Sequence, residues 1–239
     1  MNLAAGTWQN TLLESLPQRY GPASVAISPD LSRALYVAQA GQGFQLVLWD
    51  YEKGSALWST DDYYSPRISN HWLISEAWSP DSSQVAFALK PPTGLDSQLV
   101  VLSRNADKLS IALGLNEKAG SNAFDWSPDS RFLAAVVGSL DNPAWSGGNI
   151  IVYSRIEDRI VAVCRSPNVG SPTEPMNTYG PQWSPDSRFV VFGNGQDFLS
   201  QDNGILAFNP ATGQTILLRQ GLGVSFVGWS PISSWGNTQ

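Results

Sequence analysis

Seven residues, Trp126-Ser127-Pro128-Asp129-Ser130-Arg131-Phe132, return unchanged as Trp183-Ser184-Pro185-Asp186-Ser187-Arg188-Phe189. Looser copies stand at Ile27-Ser28-Pro29-Asp30-Leu31-Ser32-Arg33, at Trp78-Ser79-Pro80-Asp81-Ser82-Ser83 and at Trp229-Ser230-Pro231-Ile232-Ser233-Ser234. The five prolines, at positions 29, 80, 128, 185 and 231, lie 46 to 57 residues apart. A repeat of that period is one supersecondary unit, and each unit buries its apolar surface only against its neighbours. The chain is therefore expected to be a row of stacked, similar sheets.

Each unit reads as four short strands between turn residues. Runs such as Leu99-Val100-Val101-Leu102 and Ile150-Ile151-Val152-Tyr153 are apolar at consecutive positions, as in strands covered on both faces. No window of ten or more residues has apolar residues at helical spacing. The expected fold class is all-β, a β-propeller of four-stranded antiparallel blades in a single domain over residues 1–239. Blade one spans 24–60, blade two 75–115, blade three 122–166 and blade four 180–220. A fifth blade is incomplete or closed by the N-terminal strand, combining 224–239 with 1–16. Only ten residues follow Trp229, and Gln9-Asn10-Thr11-Leu12-Leu13-Glu14 resembles Gln214-Thr215-Ile216-Leu217-Leu218-Arg219, the outer strand of unit four. Pairing of the two chain ends in one blade would remove a free sheet edge.

The motif has a local physical account. Proline fixes its own φ, and the short aspartate side chain bonds to backbone amides, so the pair pre-sets a tight turn between the first two strands. The tryptophan fills the wedge between blades, where burying its ring contributes on the order of 2 to 3 kcal/mol. Trp78, Pro80, Asp81, Trp126, Pro128, Asp129, Trp183, Pro185, Asp186 and Trp229 are accordingly read as structural. The motif followed by an alternating apolar strand resembles the WD40-like, TolB-type (PD40) propeller repeat, whose usual form has glycine where this chain has Ser82, Ser130 and Ser187. The resemblance covers residues 24–231, with Ile27 and Ile232 departing from the pattern. It implies a β-propeller and, often in such proteins, a protein-binding or accessory role, and it implies no particular chemistry.

Composition narrows the partners. With 20 acidic against 14 basic residues the net charge is −6, which repels nucleic-acid phosphates and anionic lipid. No stretch reads as a membrane span. Nucleic acid and membrane insertion are not expected. No signal peptide is visible at the N-terminus, while the low charge and the Ser, Asn and Trp richness lean slightly toward an extracytoplasmic origin. Cys164, the only cysteine, sits in an apolar run and reads as a buried, inert thiol.

Function is expected on one face. The first and third connections of each unit stay short, the third running Asp50 to Gly54, Arg104 to Lys108, Ile156 to Asp158 and Pro210 to Gly213. The second and fourth lengthen, as at Lys90 to Ser97, Ser139 to Gly148, Asn194 to Asn203, Thr60 to Ser75 and Ser166 to Gly180. In an antiparallel meander the second and fourth emerge together, so they form the expected binding surface. Its candidates are Tyr63, Tyr64, Arg67, His71, Trp72, Trp145, Tyr179, Asp197 and Asp202, rich in the side chains that dominate interface energetics. The reading is a non-catalytic scaffold for a protein partner. The alternatives are a glycan-binding lectin, a glycosidase-like propeller or a peptidase-accessory propeller.

Catalytic readings find little support. His71 is the only histidine and no nucleophile-elbow motif accompanies it. Zinc needs more His and Cys ligands than the chain offers, and no cofactor-binding motif stands out. A glycosidase needs two carboxylates facing each other. Glu76 and Asp125, the acids of the innermost strands, fall at positions of opposite parity and point to opposite sides. Asp125 and Gln182 occupy matching positions and are expected to line the central channel. If the N-terminal strand closes the ring, deleting residues 1–16 should sharply lower the melting temperature, and an unchanged melting point rejects closure.

Overall fold

The consecutive apolar positions of the sequence are explained by sheets covered on both faces. In the strand Gln98–Ser103, Leu99 and Val101 turn to one neighbouring blade while Val100 and Leu102 turn to the other, and all four are 0–2% exposed. The structure, a computed structural model, describes residues 14–17, 25–40, 43–60, 78–89, 98–106, 109–114, 124–138, 148–169, 180–194, 204–221 and 229.

Blade one contains β1 (Val25–Ile27), β2 (Arg33–Ala40), β3 (Gly43–Asp50) and β4 (Ser55–Ser59). Blade two contains β5 (Gln84–Leu89), β6 (Gln98–Ser103) and β7 (Leu109–Gly114), with its innermost position held by a bridge from Trp78 to Val85. Blade three is β8 (Phe124–Trp126), β9 (Phe132–Gly138), β10 (Gly148–Ser154) and β11 (Arg159–Val169). Blade four is β12 (Gln182–Trp183), β13 (Val190–Asn194), β14 (Gly204–Asn209) and β15 (Gln214–Gln220). Each is an antiparallel meander in sequence order. The fold is therefore an all-β propeller of four-stranded antiparallel blades. β11 is the longest of these strands, running eleven residues from Arg159 to Val169.

Each blade begins at the same corner. Ser127 Oγ donates to Asp129 Oδ1 at 2.6 Å and accepts the N–H of Phe132 at 2.9 Å. Ser28, Ser79 and Ser184 repeat this arrangement with Asp30, Asp81 and Asp186. The residue after each aspartate, Leu31, Ser82, Ser130 or Ser187, takes φ of 58–60°, a left-handed conformation that glycine adopts without cost. This explains why the related repeat usually has glycine there.

The serines offset that strain across the blade boundary. Ser82 Oγ accepts the backbone N–H of Asp30 at 3.0 Å, Ser130 Oγ that of Asp81 at 3.0 Å, and Ser187 Oγ that of Asp129 at 3.2 Å. The indoles stitch the inner strands in the same direction. Trp78 Nε1 donates to the Ala26 carbonyl at 2.9 Å and Trp183 Nε1 to the Asp125 carbonyl at 3.1 Å. Trp78, Trp126 and Trp183 are 3–4% exposed. Trp229 departs from the expected burial, being 43% exposed, so it does not fill a wedge as the other three do.

The closing blade falls largely outside the described residues. Of the N-terminal segment 1–16 expected to close the ring, Glu14 is helical and Ser15 and Leu16 turn, so these three residues are not strand. Proline at 17 disfavours a continuing strand, and the turn seats Leu16 on Ala34, Tyr36, Ala38 and Val47 of blade one. A deletion that isolates the closing-strand idea must therefore stop at residue 13. On blade four, Ile216, Leu217 and Leu218 of β15 are 50–53% exposed.

Serine at the left-handed corner position is predicted to matter through its hydroxyl. Ser130→Ala keeps the strain and loses the bond to Asp81, and should cost about 1 kcal/mol or more. Ser130→Gly loses the bond but relieves the strain, and should fall within about 0.5 kcal/mol of the parent. Urea denaturation of both variants checks the order, and a larger loss in the glycine variant contradicts it.

Candidate functional site

The corner links decide which surface remains for function. Because corner bonds to corner from blade one through blade four, all four Ser-Pro-Asp turns and the short third connections lie at one end of the strands. The second and fourth connections leave from the other end. The end that carries the long connections is thus fixed by the antiparallel strand order together with the corner contacts.

The corner face itself is densely cross-linked. Arg104 reaches from blade two to Asp30 Oδ2 of blade one at 3.3 Å and donates to Ser32 Oγ at 3.1 Å. Arg155 of blade three makes the same crossing to Asp81 Oδ2 at 2.5 Å and to Ser83 Oγ of blade two. Burial alone would raise the Asp81 carboxyl, but hydroxyls of Ser83 and Ser79 and the Arg155 guanidinium outweigh it and hold its pKa at about 2. Asp30 is likewise lowered, burial being opposed by Ser28, Ser32 and Arg104. Asp186 is lowered chiefly by the Ser184 hydroxyl. In blade one, buried Arg33 and Asp50 pair at 3.1 Å, and Asp50 also accepts the amides of Glu52 and Lys53. These acids serve the fold: each is bonded to hydroxyls, amides or guanidinium groups of the chain itself.

Asp125 is also committed. Its Oδ2 accepts the backbone N–H of Trp183 at 2.8 Å, tying β8 to β12. An inner-strand carboxylate can in this way close a neighbouring strand's free amide. Gln182 is half-buried beside it. Glu76, the other inner acid considered, lies outside the described residues. Cys164 is buried, 3.5 Å from the Thr215 hydroxyl, and burial pushes its thiol pKa up, as suits an unreactive thiol.

The candidates Tyr63, Tyr64, Arg67, His71, Trp72, Trp145, Tyr179, Asp197 and Asp202 all lie outside the described residues. Their positions in the chain follow from the strands that flank them. Residues 60–77 join β4 to blade two, 139–147 join β9 to β10, 170–181 join blades three and four, and 195–203 join β13 to β14. All leave from the end opposite the corners. Among the described residues, no group of three or more His, Cys, Asp or Glu could hold a metal ion, and no helix is long and apolar enough to cross a membrane. Sequence reasoning missed the two crossing arginines. Aligning the third connections would have singled out the two residues, though not their crossing, since Arg104 and Arg155 follow the last residue of β6 and β10 respectively.

No protein-family model and no curated protein matches the chain. Among solved structures, the β-propeller domain of the Trilobed protease from Pyrococcus furiosus superposes with a TM-score of 0.53 at 14% identity, over 80% of this chain and 55% of that one. TolB from Acinetobacter baumannii gives 0.46 at 12% identity, over 82% and 43%. An acylaminoacyl peptidase from Pyrococcus horikoshii gives 0.49 at 16%, over 84% and 33%. The chain spans about half the length of the solved propellers it matches. At such identities the likeness is one of fold, and the fold is that of a β-propeller.

The lowered pKa of Asp81 makes stability depend on pH in one direction. An ionised carboxylate favoured by the fold contributes fully above the unfolded value near 4, and the contribution is lost as pH falls through the folded value of about 2. Asp81→Asn should destabilise the chain at pH 7, with the gap from the parent closing between about pH 4.5 and about pH 2. Urea midpoints at fixed pH check this, and a gap that stays constant over the range contradicts it.

Proposed function

We propose that the chain is a non-catalytic binding module that takes a protein partner on the face bearing its second and fourth connections. The observation that supports this most directly is the division of labour between the two faces. At the corners, serine, aspartate and arginine side chains are spent on neighbouring blades. At the other end the connections vary in length from 41–42 to 195–203 and 60–77, and variable loops on a rigid scaffold are where recognition residues concentrate. Tyr63, Tyr64, Arg67, His71 and Trp72 fall together in one of these connections and supply the aromatic and arginine anchors that interfaces favour.

A catalytic role has less to stand on. The inner-strand acid Asp125 is bonded to Trp183, and the corner aspartates are bonded to their own turns. One solved neighbour is the propeller domain of a protease, so an accessory role beside a catalytic domain belongs to the same class of binding function.

The test compares the two faces. Immobilised chain carrying Tyr64→Ala with Trp72→Ala should lose captured protein by about tenfold or more, as expected when two aromatic anchors are removed. Ile156→Asp, on the corner face where Ile156 is 68% exposed, should leave capture unchanged. The reverse pattern places the interface on the corner face. Binding on a glycan array that depends on Trp72 or Trp145 replaces the protein partner with a carbohydrate.

A further inference from the structure

The three blade junctions differ at one position of the corner face. Arg104 lies across the first and Arg155 across the second. The matching residue of blade four, directly after the last residue of β14, is Pro210. Proline brings neither charge nor reach, and no arginine from the third connection covers this junction. A cavity of about 480 Å³ lies there instead. Phe132 and Val161 of blade three and Trp183 and Pro210 of blade four give it apolar walls, and Glu157 and Arg188 bring charge to it.

The two charges are not equivalent. Glu157 is ion-paired with Arg159 across its own hairpin. Arg188 lies with its guanidinium 5.7 Å from the centroid of the Phe189 ring, and among the described residues no carboxylate approaches it within ion-pair distance. Asp186 acts on it only at longer range. A guanidinium laid over an aromatic face keeps its in-plane N–H edge for a planar acceptor, and a carboxylate matches that edge with two parallel hydrogen bonds. The chain's net charge of −6 opposes anions at long range, but it is screened beyond about 8 Å at physiological salt, so short-range contact decides.

We propose that the cavity between blades three and four binds a ligand that joins a flat apolar body to a carboxylate, the body resting against Val161 and Pro210 and the carboxylate on Arg188. Such a ligand is either a small aromatic acid or the C-terminal residue of a peptide. The site is independent of the opposite, loop-bearing face.

Titration of the whole chain, followed by NMR chemical shifts, tests this with four probes: 3-phenylpropionate, its amide, acetyl-glycyl-phenylalanine and its C-terminal amide. Both acids should bind saturably on the order of millimolar, with the amides about tenfold weaker or more. Arg188→Gln should abolish the preference for acid over amide. Pro210→Arg, which installs the residue found at the other two junctions, should abolish binding of all four. Tighter binding of the peptide acid than of 3-phenylpropionate identifies a chain end as the ligand; equal or weaker binding identifies a small acid. Equal binding of acids and amides, no saturable shift with any probe, or an acid preference that survives Arg188→Gln overturns the proposal.

Discussion

The bond from each corner amide to the serine hydroxyl of the following blade is the contact on which the arrangement depends. Serine at a φ near 60° is strained relative to glycine by about 1 kcal/mol, and a neutral hydrogen bond contributes about the same amount in the other direction. The net energy is therefore small, and what the bond supplies is position. It brings the corners of adjacent blades into contact, which sets each sheet facing the next at a separation that an indole can fill. Trp78 and Trp183 then add a second bond on the inner strands, from the indole N–H to a carbonyl of the preceding blade.

Beside these polar contacts lies the apolar core, continuous across the junctions of blades two, three and four. It supplies most of the stabilisation, because burial of a large side chain is worth more than a neutral hydrogen bond. Burial is nonetheless indifferent to register, and a strand shifted by one residue would present its other face. With both faces of β6 and β10 apolar, alternation could not by itself choose the register. The corner bonds can, since they require particular atoms to meet.

The same economy governs the carboxylates. Asp125 on an inner strand has the position that an active or channel-lining acid would have, yet it accepts a backbone amide from the next blade. Asp30 and Asp81 are held ionised by hydroxyls and an arginine, which makes them structural anions. The junction between blades three and four stands apart, because Pro210 replaces the crossing arginine and an apolar cavity with the Arg188 guanidinium beside it is left at the surface. A repeat protein acquires a site most readily where one copy of the repeat drops a structural side chain, since the neighbouring copies keep the fold in place.

By itself the sequence determined the repeat, the all-β class and the corner turn. Each of these rests on contacts within a few residues: aspartate to an amide two positions on, proline on its own φ, apolar runs of four residues. Serine's role in the corner was less legible, because its hydroxyl bonds both within the turn and, at Ser82, Ser130 and Ser187, to a chain segment 49 to 58 residues away. Only the tertiary structure decided that Asp125 is bonded to Trp183, that Trp229 is exposed while the other motif tryptophans are buried, and that Arg104 and Arg155 cover two junctions and Pro210 leaves the third open. Those outcomes depend on which side chains face each other across a blade boundary, a distance in space that no local pattern of residues encodes.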